Sequence, residues 1–131
     1  LRFVILNSGK PSQTQKMIKQ SAPFFFGQKG DQLVGVFDSL TEHMYKALTS
    51  PCLSTIVEIM KELSFYLEEI GIVTTPIKDL MQLAYKCGAL GVKPTGAGGG
   101  GCVLALLDPQ KYTQQLSLLK KHLHPKAIYE V

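Results

Sequence analysis

The chain has 131 residues, 45% of them hydrophobic, and a formal net charge of +4. That length suits one domain with its own buried core and leaves no room for two. The positive charge is mild, and neither an arginine cluster nor interleaved aromatic residues accompany it, so we expect no nucleic-acid partner, whereas an anionic small molecule remains compatible.

No apolar run approaches the roughly 18 residues that a membrane span needs, and no charged leader precedes an apolar segment. We therefore expect no membrane partner, no signal peptide and a cytoplasmic location. The three cysteines, Cys52, Cys87 and Cys102, include no Cys-x-x-Cys pair, so we interpret them as free, mostly buried thiols in a reducing compartment. No histidine stands at metal-ligand spacing from them, and we predict no metal site formed by these side chains.

The chain opens in an apolar strand over residues 1–6 and continues through a turn over residues 7–11. Because it opens inside a strand, we expect it to be a piece of a longer protein. A short helix follows, with Ser12 or Thr14 in position to cap it. Residues 21–30 hold three adjacent phenylalanines, which cannot all face one side of an element, and we expect them to pack in this domain's core rather than against a second domain.

Apolar residues at intervals of three and four then predict three consecutive helices. The first covers Asp31 to Leu48. The second begins after Ser50-Pro51, which supply a cap and a first-turn proline, and ends at Gly71. So short a connection makes these two helices antiparallel neighbours. The third begins at Thr75-Pro76 and ends near Gly88.

A glycine-rich stretch follows. Residues 93–102 are Lys-Pro-Thr-Gly-Ala-Gly-Gly-Gly-Gly-Cys, and an entirely apolar run continues to Leu107, which predicts a buried strand. Glycine permits positive φ and close approach of a partner to the backbone, and successive N–H groups can form a concave nest for phosphate or carboxylate oxygens. The alternative is a flexible hairpin connection, although a two-residue hairpin needs only one or two glycines. We call residues 95–101 the glycine loop.

Two known phosphate-binding patterns do not fit the glycine loop. The spacing G-x-G-x-x-G is present, but a dinucleotide fold requires a helix next and an acidic residue about 20 positions further on. Here a strand follows, and no Asp or Glu lies between Asp108 and Glu130. The P-loop pattern requires Lys and then Ser or Thr after its last glycine, and Cys102-Val103 does not supply them. The sequence therefore indicates a third kind of glycine loop.

The last elements are a helix opened by Asp108-Pro109 and ended by Pro125, and a final strand over residues 126–131. The order of elements predicts an α+β domain over residues 1–131. It has about four mostly antiparallel strands with helices on one face, and an inserted helical hairpin plus a third helix.

The stretch from Lys93 to Cys102 resembles the third motif of the GHMP kinase superfamily, which contains galactokinase, homoserine kinase, mevalonate kinase and phosphomevalonate kinase. Its form is most similar to that of the mevalonate kinases, although Pro94 replaces the usual aliphatic residue. The resemblance implies a ferredoxin-like core and the C-terminal domain of an ATP-dependent small-molecule kinase. The most similar member of the family phosphorylates the hydroxyl of mevalonate in isoprenoid precursor synthesis.

The resemblance also implies a set of site residues. In the family, the backbone of the glycine loop lines an inter-domain cleft near the transferred phosphates, and a threonine near the chain's opening affects catalysis. Pro11 and Thr14 match the family at that opening, whereas Gly9, Lys10 and Ser12 differ from it. Thr14 is therefore a substrate-proximal candidate, with a helix cap as the equally open alternative. The loop residues implied are Thr95, Gly96, Ala97, Gly98, Gly99, Gly100 and Gly101.

The superfamily's nucleotide loop, Gly-Leu-Gly-Ser-Ser, and its catalytic aspartate belong to an N-terminal domain, and nothing in this chain matches either. The resemblance thus implies that ATP and Mg²⁺ are bound mainly by an N-terminal kinase domain of the same parent chain. No catalytic residue is expected here, and the fragment alone should be inactive. A small-molecule substrate is the other expected partner, and a homodimer stays open. Phosphomevalonate kinase or galactokinase-like activity, or a non-catalytic binding domain of this fold, are the alternatives.

Overall fold

The computed structural model describes residues 1–96 and 98–131. Within them it contains one sheet and five α-helices, none of which is both long and apolar enough to cross a membrane. Two 3₁₀ turns, Ala22–Phe25 and Pro125–Ala127, complete the elements. In chain order the strands and helices are β1 (Arg2–Asn7), α1 (Thr14–Ser21), α2 (Gly27–Thr49), α3 (Leu53–Glu69), α4 (Thr75–Lys86), β2 (Gly91–Thr95), β3 (Cys102–Leu107), α5 (Tyr112–His122) and β4 (Ile128–Glu130).

The four strands pair in the order β2-β3-β1-β4, and every pair is antiparallel. Pro94 lies in β2, an edge strand, where a missing backbone N–H costs least. Thr95 pairs with Cys102, and Cys102 pairs on its other side with Asn7. The glycine loop therefore leaves the sheet at the end where β1 also ends. The predicted α+β class and antiparallel four-stranded sheet are confirmed.

Helices cover both faces of the sheet. On one face Val4 and Ala105 pack with residues of α4 and α5. On the other face Leu106 packs with Ile56 and Met60 of α3, and α2 packs on α3. This placement differs from the expectation of one covered face. The reason is that β3 has no polar side chain to turn towards water, so both of its sides need apolar partners.

The α2–α3 hairpin forms as predicted, with different ends. Helix α2 begins at Gly27, and its last turn is closed by Ser50, whose N–H donates to the carbonyl of Lys46. Helix α3 begins only at Leu53, with an extended Cys52 at its N-cap. The prediction that Ser50-Pro51 opens α3 is therefore wrong, because Ser50 still belongs to the hydrogen bonding of the preceding helix.

The three adjacent phenylalanines lie on the surface. Phe24, Phe25 and Phe26 are 47%, 37% and 74% exposed, so the expectation that they pack in the core is wrong. Gly30 lies so close to the backbone of Phe25 that a Cβ on it would be 2.2 Å from the Phe25 carbonyl carbon. The Phe25 main chain thus fills the space that a side chain at position 30 would need. Phe25 stacks on Phe37, with 6.4 Å between the ring centroids.

A buried glutamine joins two connections of the fold. The side chain of Gln115 in α5 donates from Nε2 to the carbonyl of Gly88 at 2.7 Å and accepts from the N–H of Asp108 at 2.9 Å. Gly88 follows α4 and Asp108 follows β3. Because Gln115 is only 5% exposed, this one side chain satisfies two backbone groups at the edge of the core.

Candidate functional site

The glycine loop has the backbone that its composition predicts. Positive φ is a conformation that residues with a Cβ rarely adopt, and glycine adopts it freely. Every glycine of the loop has it. The φ angles are 84° at Gly96, 81° at Gly98, 73° at Gly99, 149° at Gly100 and 84° at Gly101.

The loop is also closely packed against its own domain. A Cβ on Gly98 would lie 2.4 Å from the carbonyl oxygen of Ile72, and one on Gly100 would lie 2.3 Å from that of Pro11. Both distances are shorter than any contact a side-chain carbon tolerates. Close backbone approach is therefore a reason for these glycines, and the partner that approaches is main chain of this domain.

Two backbone amides of the loop already donate hydrogen bonds within this domain. The N–H of Gly99 donates to the carbonyl of Ile72 at 3.1 Å, and the N–H of Gly101 donates to that of Lys10 at 3.0 Å. These amides hold the loop in place and are not available to an anion. An anion nest that uses every loop amide is therefore ruled out, and any anion contact must come from the others.

The opening segment, residues 8–14, lies along the glycine loop. The N–H of Ser8 donates to the carbonyl of Gly101 at 2.9 Å. The hydroxyl of Ser12 donates to the carbonyl of Gly98, also at 2.9 Å, although the two residues are 86 positions apart. The structure thus brings together the two stretches that the family resemblance implicated. Spacing within either stretch gives no signal of the Ser12 contact.

Thr14 is the first residue of α1 and is exposed. The N-cap position belongs to Gln13, and no side chain caps the helix, so the alternative that Ser12 or Thr14 caps α1 is not observed. Instead the Thr14 hydroxyl oxygen lies 3.3 Å from that of Ser12. Residues 12–16 line an open surface groove. Thr14 therefore lines this groove beside Ser12, which contacts the glycine loop.

The remaining predicted site residues differ in how far they are buried. Thr95 ends β2 and is half-buried, and Gly96 is exposed. Gly98 is buried against Ile72, and Gly100 is buried against Pro11 of the opening segment. Ala97 lies outside the described residues.

The electrostatics of the site favour anions. The first turn of α1 contains no acidic residue and includes Lys16, and the N-terminus of a helix carries partial positive charge. Lys10 lies beside the loop, bonded to it through its carbonyl. Neither residues 8–14 nor the glycine loop contain a carboxylate, so they suit phosphate oxygens and do not suit Mg²⁺, which binds carboxylates. Among the described residues, no three His, Cys, Asp or Glu side chains are grouped to hold a metal ion.

Lys93, which opens the glycine-rich motif, forms a hydrogen bond within its own strand. Its ammonium donates to the carbonyl of Pro94 at 2.9 Å, and burial lowers its pKa. The side chain is half-buried on β2 and has a backbone partner. We therefore assign it to the support of the strand before the loop.

The three cysteines are free, as expected, but Cys52 is exposed and Cys102 is half-buried, so only Cys87 is fully buried. Hydrogen bonds from Ser54 and Thr55 lower the pKa of Cys52 to about 7, whereas burial raises the pKa of Cys87. We expect iodoacetamide to alkylate Cys52 first, with a rate that rises through neutral pH and levels off above about pH 8 as the thiolate becomes fully populated.

Peptide mapping by mass spectrometry along a pH series measures these rates. Thr55→Val removes one of the hydrogen bonds and should move the rise to higher pH. A Cys52 rate that keeps climbing steeply beyond about pH 8, as for an ordinary thiol, would contradict the lowered pKa.

Comparisons with known proteins agree on one family. The family model described as GHMP kinases C terminal matches residues 44–122. A mevalonate kinase of Schizosaccharomyces pombe is 27% identical over 147 residues, covering 100% of this chain and 34% of that relative. The structure of L. major mevalonate kinase in complex with R-mevalonate matches with a TM-score of 0.81 at 21% identity, covering 99% of this chain and 41% of that one. Streptococcus pneumoniae phosphomevalonate kinase, in complex with phosphomevalonate and AMPPNP, matches with a TM-score of 0.77 at 19% identity, covering 99% and 39%.

The chain therefore spans about a third of the length of the S. pombe relative and about two fifths of the two solved structures. The structural matches establish the fold, and they extend over nearly the whole chain. The family model covers more than half of the chain, including the glycine loop, β3 and all of α5. The chain belongs to the family of GHMP kinase C-terminal domains.

Proposed function

We propose that this chain is the C-terminal domain of an ATP-dependent mevalonate kinase and that it contributes one wall of an inter-domain active site. The supporting observation is that hydrogen bonds of Ser8, Lys10 and Ser12 join the opening segment to the glycine loop. It places Thr14, the N-terminus of α1 and the segment that carries Lys10 and Lys16 beside the glycine loop. That surface matches what phosphoryl transfer requires, namely positioning and neutralisation of charge.

The chain's own residues have distinct tasks in this proposal. The buried glycines keep the loop flat against the opening segment, so a second domain's backbone can approach its exposed rim. The N-terminus of α1 and Lys16 stabilise negative charge on phosphate oxygens without exchanging a proton. Thr14 supplies a hydroxyl at the edge of the groove. ATP supplies the phosphoryl group and Mg²⁺ neutralises its oxygens, and the carboxylate that holds the metal must come from outside residues 8–14 and 95–101.

The test is ADP release by the intact parent protein, supplied with Mg-ATP and, in turn, mevalonate, phosphomevalonate, galactose and homoserine. We expect turnover with mevalonate, and none from the 131-residue chain alone, because neither the nucleotide loop nor a catalytic aspartate motif is present in it. Turnover by the isolated chain would contradict a shared site. No turnover with any of the four would favour a non-catalytic binding domain of the same fold.

Phosphomevalonate kinase is the second candidate. The specific observation in its favour is the structural match to the S. pneumoniae enzyme, whose TM-score of 0.77 is close to that of the L. major mevalonate kinase. Turnover with phosphomevalonate only, in the same panel, would select it. The choice depends mainly on residues that contact the substrate, and the fold is common to both.

A further inference from the structure

Three adjacent phenylalanines form an exposed surface that the proposed catalytic site does not use. Phe24, Phe25 and Phe26 are 47%, 37% and 74% exposed, and we call them the aromatic patch. Ile18 of the preceding helix is 59% exposed. Single apolar side chains on a surface are ordinary, whereas a run of large ones marks an interaction surface. The aromatic patch therefore indicates a partner outside this domain.

The backbone beneath the aromatic patch is fixed. The N–H of Ala22 donates to the carbonyl of Ile18, so the 3₁₀ turn follows α1 without a break. Helix α1 is itself held by Met17, which is buried, and by Gln20, whose Nε2 donates to the carbonyl of Gly71 at 2.8 Å. A surface held in this way loses little conformational freedom when a partner binds it.

The aromatic patch also borders the candidate site. Helix α1 begins at Thr14, in the groove of residues 12–16, and ends at Ser21, directly before the 3₁₀ turn. Its eight residues span about 12 Å along the helix axis. A domain that covers the groove therefore needs to extend only that far along α1 to reach the aromatic patch.

The size of the aromatic patch favours a domain of the same parent chain over a second copy. At about 200 Å² for a fully exposed aromatic side chain, the three residues leave roughly 300 Å² open. A stable dimer buries about 800 Å² on each partner, whereas domains of one chain form interfaces from about 300 Å² a side, because the covalent link keeps them together. The chain spans about a third of the length of its S. pombe relative, so a parent of that length has residues for a further domain.

Charge indicates what surrounds the apolar centre of the partner's surface. Residues 8–30 contain four lysines and neither Asp nor Glu. Lys16, Lys19 and Lys29 are exposed on both sides of the aromatic patch along the chain. Positive groups around an apolar centre are complementary to a surface whose own apolar centre has an acidic rim.

We propose that the aromatic patch is a docking surface for the N-terminal domain of the parent chain, and that the contacting surface of that domain is apolar at its centre and acidic at its rim. Phe26, the most exposed of the three, is the main anchor, and Phe25 supports it from its place on Phe37. Docking here sets where the second domain lies relative to the glycine loop. The inference rests on the proposed function for the identity of its partner.

Hydroxyl-radical footprinting of the intact parent protein, measured by peptide mass spectrometry, tests the docking. Phe26 should be oxidised at least about fivefold more slowly than Tyr45, because a docked domain excludes water from the ring. Tyr45 is a matched control, since it is also aromatic and is 68% exposed. It lies on α2 about 27 Å along the axis from Gly27, where that helix begins beside the aromatic patch. Equal oxidation rates would overturn the proposal.

Phe26→Ser tests whether the docking matters for turnover. We expect kcat/KM of the intact parent protein to fall about tenfold or more, the effect of losing a buried aromatic anchor. Phe26→Leu, which keeps an apolar side chain, should recover most of the loss. The control Tyr45→Ser should stay within about twofold of the wild type. Equal kinetics for Phe26→Ser and Tyr45→Ser would mean that the aromatic patch is no anchor.

Charge reversal tests the acidic rim. Lys19→Glu should raise the oxidation rate of Phe26 in the parent protein about threefold or more at low salt, and less at about 1 M salt, where the charges are screened. Lys121→Glu, on an exposed lysine of α5, should leave the rate unchanged. An unchanged rate in Lys19→Glu would overturn the acidic rim.

Two other partners would give different results. A second copy would protect Phe26 only at concentrations where light scattering reports a dimer, and the protection would disappear on dilution. A membrane would leave Phe26 open in solution, and the parent protein would sediment with vesicles of phosphatidylcholine and phosphatidylserine. Either result would overturn the N-terminal domain as the partner. If the parent protein turns over none of the four substrates and Phe26 is still protected at every dilution, the proposed function fails and the docking surface stands.

Discussion

Gly98→Ala should destabilise the chain by about 2 to 5 kcal/mol, whereas Gly96→Ala should cost only about 1 kcal/mol. Both glycines have nearly the same positive φ, 81° and 84°, so both substitutions incur the strain of a left-handed residue. Their surroundings differ. A Cβ at Gly98 would be 2.4 Å from the Ile72 carbonyl oxygen, and a Cβ at Gly96 meets no described atom within 4 Å. Gly98 can therefore accept a methyl group only if the main chain moves.

Urea unfolding of the two variants beside the wild-type chain measures this difference. Gly96→Ala serves as the control for strain alone, so the excess loss in Gly98→Ala reports the close approach to Ile72. In the intact parent protein, Gly98→Ala should also lower turnover, since moving the loop disturbs the Ser12 bond to the Gly98 carbonyl. Equal unfolding midpoints for the two variants, with equal turnover, would mean that the loop is only a connector.

Gln115→Met should lower the free energy of unfolding by about 2 to 6 kcal/mol. Methionine has a similar volume and fills the same space, but it leaves the Gly88 carbonyl and the Asp108 N–H without their partner. Each backbone group buried without a hydrogen bond costs about 1 to 3 kcal/mol. The two losses should add because both groups depend on this one side chain.

The neighbouring Gln114→Met is the matched control. Gln114 is exposed on the same helix, so its substitution should change stability by no more than about 0.5 kcal/mol. Thermal or urea unfolding of the pair measures the difference. A groove lined by Gly88, Asp108 and Gln115 lies beside the bonds. If its water replaced both of them, the two variants would unfold together and the prediction would fail.

Much of the fold could be predicted because its signals are local. The apolar spacing in α2, α3 and α4 and the uninterrupted apolar run of β3 each reflect one element's own burial. The positive φ angles of the glycine loop are likewise local, since each glycine's freedom is intrinsic to it. The family resemblance rested on that same short stretch.

The failures arise where a distant partner decides the outcome. Phe24, Phe25 and Phe26 lie on the surface, where the Phe25 backbone packs against Gly30, and no periodicity encodes that close approach. Ser12 was a candidate cap by its place in the sequence, yet its hydroxyl donates a hydrogen bond to a carbonyl 86 residues away. Gln115 showed no pattern at all, because its two partners lie in other connections. Polar contacts between distant residues leave no mark on hydrophobic spacing.

The pairing of the first strand with the third also sets when the site can form. Strand β1 pairs with β3 and β4 and lies inside the sheet, while all of α1 to α4 and β2 separates it from β3 along the chain. At a synthesis rate of about 5 to 20 residues per second, Gly98 is therefore added to the chain several seconds after β1 and Ser12. Contacts of such long sequence separation form slowly, since the intervening chain must first be closed into a loop. A nascent or truncated chain that stops before the glycine loop would contain every helix of the α2–α4 block but only the opening segment of the candidate site.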